Sequence, residues 1–148
     1  IHRALELGVN YVDTSARYGG VEHRWSEQYF GEVMKTRRSE AFLATKSHDR
    51  TRDGSLRLLE RSLELLKTDH IDLWQMHALS RPEQVEESFA QGGAIEAFVE
   101  ARDQGIVRSL GISGHADPDV LIDAIERFPF DCVLLALNAA DPFHLSFK

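Results

Sequence analysis

DGSLRLLERSLELLKTDHIDLWQMH, residues 53–77, carries two periodicities one after the other. In its first part Leu56, Leu59, Leu63 and Leu66 recur at helical spacing, while Arg57, Glu60, Arg61 and Glu64 fall on the opposite face. That is the pattern of a helix with one apolar stripe. Its second part, Ile71–Met76, is a short run that does not alternate cleanly, as expected of a strand covered on both faces. The run stops on a histidine, His77. A helix feeding a buried strand with a polar residue at its tip is one turn of a βα repeat.

The same unit recurs on both sides. Strand-like runs are expected at Val9–Val12, Ala41–Thr45, Val107–Ile112 and Cys132–Leu137. AIEAFVEARDQG reads as a helix stopped by Gly105. PDVLIDAIERF reads as another, opened by Pro118 with Asp117 as its N-cap. A further helix is expected around Ser26–Lys35, although Gly31 interrupts it. Five strands alternating with helices imply a parallel sheet, either open and doubly wound or part of a (β/α)8 barrel. No Gly-x-Gly-x-x-Gly turn follows the first strand run, which removes the usual mark of a dinucleotide-binding open sheet.

Composition narrows the function classes. The 148 residues are 43% hydrophobic and 28% charged, ordinary for one globular unit. The net charge of −7 mixes both signs along the chain without a basic stripe, so nucleic acid is not an expected partner. No apolar run approaches the roughly 20 residues of a membrane helix. One cysteine, Cys132, excludes an intramolecular disulfide and fits a reducing compartment such as the cytoplasm. The opening IHRALELG reads as the last turns of a helix, and the chain has no initiator Met. A full barrel takes about 250 residues, so residues 1–148 are expected to be a barrel fragment of about five βα units, with parts missing at both ends. Its open sheet edges would invite self-association.

Polar residues fall at one structural slot. Asp13, Lys46, His77, Ser113 and Asn138 follow or end the five strand runs in turn. In a parallel sheet these tips share the carboxyl edge, where α/β proteins build their sites. Each residue alone has a bland reading as a cap, a turn or a solvated side chain. Together they place an acid, a base and an imidazole in consecutive units. A buried carboxylate and ammonium are costly unless paired, and Asp13 and Lys46 sit on neighbouring tips. An ammonium beside a phenol favours the phenolate, and Tyr18 lies in the loop after Asp13. Such a tyrosine can protonate a carbonyl oxygen while hydride reaches carbon, with His77 orienting that oxygen. None of these side chains supplies hydride, so a cofactor must.

Four segments, LELGVNYVDTSARYG, ATKS, SLELLKTDHIDLWQMH and GIVRSLGISGH, resemble the aldo-keto reductase family in order and spacing. The resemblance implies a (β/α)8 barrel that reduces aldehydes and ketones, small-molecule carbonyl compounds, with NADP(H). It implies a catalytic set of Tyr18 as acid, Lys46 and Asp13 as its tuners, and His77 as the orienting group. It further implies nicotinamide contacts by Ser113 and Asn138. The chain departs from the family pattern at Gly114 and Leu134, and in a longer, more charged segment between Tyr18 and Gly31. Two other readings compete. His48, His77, His115 and Asp13 could gather around a catalytic metal, or the chain could belong to a non-catalytic subunit that senses nicotinamide.

Overall fold

The computed structural model describes residues 1–136. Five strands form one sheet in the order β1–β2–β3–β4–β5, and every neighbouring pair is parallel. They are β1 (Tyr11–Asp13), β2 (Phe42–Ser47), β3 (Ile71–Met76), β4 (Val107–Gly114) and β5 (Cys132–Leu135). Helices precede β1 and join the strands: α1 (His2–Glu6), α2 (Trp25–Arg37), α3 (Arg52–Leu66), α4 (Pro82–Phe89), α5 (Ala94–Asp103) and α6 (Pro118–Arg127). Sequential order, parallel pairing and a helix after each of the first four strands make this half of a (β/α)8 barrel. Residues of all five strands, among them Tyr11, Phe42, Leu73 and Cys132, line one cavity of about 370 Å³ at the amino end of the sheet. β1 and β5 are its two edges, and Tyr11, Phe42, Leu134 and Leu135 are exposed along them or beside them.

Packing explains why the elements settle where they do. All six residues of β3 are buried, and Trp74 lies flat against Phe98 of α5 with ring centroids 3.8 Å apart. The buried line of α3 runs through Ser55, Leu59, Ser62 and Leu66, with Leu56 and Leu63 only partly covered at its flank. Small serines at the centre let the helix approach its neighbours closely, so the line is displaced one residue from the leucine stripe. Gly31 completes α2 rather than breaking it. A Cβ there would stand 1.9 Å from the Leu65 carbonyl oxygen, so α2 and α3 meet at a point only glycine permits.

Several elements differ from the sequence expectation, β2 and β4 each running two residues further, to Ser47 and Gly114. β1 begins at Tyr11, two residues late, because Gly8 adopts φ +84° and Val9 and Asn10 remain in the turn that leaves α1. α4 was not anticipated. Pro82 opens it, the Gln84 side chain accepts the Ser80 and Arg81 N–H groups, and Val85 and Ser88 are buried beneath it. No helix among the described residues is long and apolar enough to cross a membrane.

Candidate active site

The strand register brings Asp13, Lys46, His77 and Ser113 to the same edge. Asp13 is the last residue of β1, Lys46 and Ser113 are penultimate in β2 and β4, and His77 directly follows β3. Asn138 lies outside the described residues.

Lys46 is 1% exposed and its ammonium reaches both oxygens of Asp13, at 2.7 and 2.6 Å. A third contact, 2.9 Å long, goes to the Thr14 carbonyl. Every N–H of the ammonium therefore has an acceptor, which is the condition for burying it. Asp13 keeps nearly a third of its side chain open to solvent, so the pair is closed on the lysine side and open on the acid side.

Tyr18 is carried by the loop between β1 and α2. The turn after it depends on Gly19 at φ +80°, where an added Cβ would fall 2.7 Å from Trp25 Cβ. This turn leaves the tyrosine ring over the mouth, 41% exposed. Its centroid is 5.1 Å from Lys46 Nζ and 5.7 Å from the His77 ring, which it meets edge-on at 83°.

His77 is fixed from several sides. Its N–H donates to the Ser47 carbonyl at 2.8 Å and its carbonyl accepts from Arg50 Nη2 at 2.6 Å. Ser15 Oγ meets the imidazole Nδ1 at 2.9 Å while also accepting the Arg17 N–H at 3.2 Å. Nε2 makes no hydrogen bond among the described residues. Burial, reinforced by the charges of Lys46 and Arg17, holds the imidazole pKa down at about 4, so the ring is neutral at ordinary pH. Where the Ser15 hydroxyl donates to Nδ1, the ring's single proton lies on Nε2, a free donor. The following residue, Ala78, adopts φ +55°. Ser113 Oγ accepts the Ala78 N–H at 2.9 Å and donates to the Met76 carbonyl at 3.3 Å. Ser113 is thus fully buried and helps hold the turn behind His77.

Sequence reading singled out five of the residues at this mouth, Asp13, Tyr18, Lys46, His77 and Ser113, and passed over others. Ser15, Arg17 and Arg50 carry no periodic signal, and only the folded loops bring them against His77. His48 entered only as a possible metal ligand. Among the described residues no three His, Cys, Asp or Glu side chains gather as a metal site, so His48, His77, His115 and Asp13 do not converge.

Residues 1–144 match the model of the Aldo/keto reductase family. The chain is 30% identical to the uncharacterized oxidoreductase YqkF of Bacillus subtilis strain 168, over 95% of this chain and 47% of that protein. It is 32% identical to the 6-dehydroglucose reductase of Novosphingobium aromaticivorans, over 81% of this chain and 42% of the relative. Among solved structures it resembles the holo form of aldo-keto reductase AKR11C1 from Bacillus halodurans, with TM-score 0.78 and 30% identity. That match covers 92% of this chain and 46% of the other. The chain spans about half the length of the relatives it matches.

Proposed function

The chain belongs to the aldo/keto reductase family, and on that premise we propose that the whole protein reduces aldehydes or ketones with NADP(H), using Tyr18 as the proton donor. The observation that carries this reading is the stack at the carboxyl edge. A fully bonded Asp13–Lys46 pair lies 5.1 Å from the centre of the Tyr18 ring, and neutral His77 stands edge-on beside it.

The residues divide the chemistry as follows. His77 Nε2–H donates to the substrate's carbonyl oxygen and orients it. Tyr18 delivers its phenolic proton to that oxygen as the alcohol forms. Lys46 stabilises the phenolate left behind, and Asp13 holds Lys46 in place. Bound nicotinamide supplies the hydride. In this reading Ser113 would help hold the nicotinamide carboxamide, and Asn138, outside the described residues, is assigned to the same contact by the family resemblance alone. Support for NADP(H) comes from the family resemblance. Support for a small carbonyl substrate comes from relatives such as the 6-dehydroglucose reductase.

Tyr18→Phe in the whole protein tests the assignment. Carbonyl reduction should fall about 10²–10⁴-fold, the usual worth of a positioned general acid, while NADPH binding measured by protein fluorescence stays close to the parent's. A Phe variant that reduces aldehydes at nearly the parental rate would remove Tyr18 from the proposed role.

A further inference from the structure

We propose that the substrate's carbonyl is attached to an anionic group, a carboxylate or a phosphate, seated beside Tyr18 by Arg17 and His48 with the charge of Arg50 behind them. This deepens, and rests on, the reductase reading above.

Two arginines and a histidine, His48, which burial and the Arg17 charge push toward its neutral form, lie on two loops tied to His77 by short paths. Arg17 precedes Tyr18 in the chain, and its N–H donates to Ser15 Oγ (3.2 Å), which meets His77 Nδ1 (2.9 Å). His48 directly follows Ser47, whose carbonyl takes the His77 N–H (2.8 Å). Arg50 Nη2 donates to the His77 carbonyl (2.6 Å).

Of the nearby carboxylates, Asp13 and one oxygen of Asp49 are engaged by other groups, and Glu87 acts on Arg50 through its charge without forming an ion pair. Asp13 is held by Lys46 through both oxygens. Asp49 accepts the N–H and the hydroxyl of Thr51 (2.8 and 2.6 Å). Neither Arg17 nor Arg50 has an ion-pair partner among the described residues, whereas Arg24, Arg38 and Arg127 each face a carboxylate. Arg50 is only partly exposed, and its Nε and Nη1, like His48 Nδ1, are buried without a partner. Burial lowers the Arg50 pKa to about 10, an effect that the charges of Glu87 and Asp49 offset only in part. A largely buried guanidinium without a counter-ion is costly. Even with Glu87 and Asp49 nearby, the mouth holds guanidinium charge that no carboxylate pairs among the described residues. An anion arriving with the substrate balances it, and exposed Arg17 places that balance next to the reacting carbonyl.

Phosphates of the cofactor share this chemistry, so the test separates the two sources. The whole protein is assayed with 4-formylbenzoate and with its neutral methyl ester. Its kcat/KM should favour the acid by about tenfold, as expected of one charge-assisted contact. Added KCl should narrow that gap by screening, and Arg17→Met should bring the ratio toward one. A ratio near one in the parent, or one that survives Arg17→Met, overturns the proposal. So does an Arg17→Met variant that keeps the preference but binds NADPH more weakly, since the charge would then serve the cofactor. Calorimetric titration with terephthalate reads the subsite without turnover. Terephthalate binding that Arg17→Met removes upholds the anion site even if neither aldehyde is reduced, which would count against the reductase reading alone. A protein that reduces the ester but does not bind terephthalate keeps the reductase reading and loses the anion site.

Discussion

The two ends of this sheet each pair a carboxylate with cationic side chains, and they treat it differently. At the amino end Asp72, 3% exposed, accepts from Leu43 N at 2.8 Å, from Arg38 at 2.7 Å and from Arg108 at 2.8 Å. Burial opposes its ionisation, yet the Leu43 N–H and the two guanidinium groups hold its pKa below the ordinary carboxylate range. The network is closed, with both oxygens engaged and β2, β3 and β4 joined through one side chain. At the carboxyl end the roles are reversed. The cation, Lys46, is the sealed partner, while Asp13 stays partly open and His77 Nε2 and the Tyr18 hydroxyl have no partner among the described residues. Satisfied groups stabilise, and unsatisfied groups beside them are available for chemistry. The contrast also follows the rule that barrels build sites at the carboxyl face and stability at the other.

Substitution at each end sharpens the contrast. Lys46→Met should give the largest effect, a loss of carbonyl reduction on the order of 10²-fold or more, because Tyr18 then lacks the cation that favours its phenolate. Steady-state kinetics of the whole protein would show it. A variant retaining a tenth of parental activity would break the assignment of this end to catalysis. Asp72→Ala should instead cost about 1–3 kcal/mol of stability, the usual penalty for leaving a buried donor such as the Leu43 N–H unsatisfied, with turnover per folded molecule unchanged. Urea unfolding would measure it, and an unshifted midpoint would show that the amino-end network is ornamental.

A smaller effect separates the ends by pH. The His77 pKa lies at about 4 in the folded chain against an ordinary value of 6.5. The unfolded chain therefore binds the proton more tightly, and stability should decline as pH falls from about 6.5 toward 4. Asp72, whose pKa is also depressed, adds its loss only at lower pH, below the ordinary carboxylate range. Comparing unfolding midpoints of the parent and His77→Gln across this window isolates the histidine. If the two curves run parallel from pH 6.5 to 4, His77 is not held neutral by its surroundings.

Much of this was legible before folding. Ile71–Met76 could be placed to the residue because a strand covered on both faces carries apolar side chains on each, here Ile71 and Leu73 against Trp74 and Met76, between polar tips. Asp13, Lys46 and His77 could be assigned to one edge because parallel order alone puts successive strand tips together. Less legible were features whose cause lies elsewhere in the chain. Gly31 reads locally as a helix breaker, and only the Leu65 carbonyl pressed against it shows why it is required. α4 is short, and its start rests on a side-chain contact by Gln84 that periodicity does not register.

What the sequence determined by itself is the βα alternation, the covered sheet and the edge that bears the polar tips, since these follow from side-chain period and chain order. Tertiary structure alone decided how those tips are used. It turned Ser15 onto His77, set Arg50 on the His77 carbonyl and closed Lys46 onto Asp13 and Thr14. These contacts join residues tens of positions apart, across 62, 27, 33 and 32 positions. Their strength depends on burial, which no local pattern encodes: a hydrogen bond or an unbalanced charge gains its effect only where packing has excluded water.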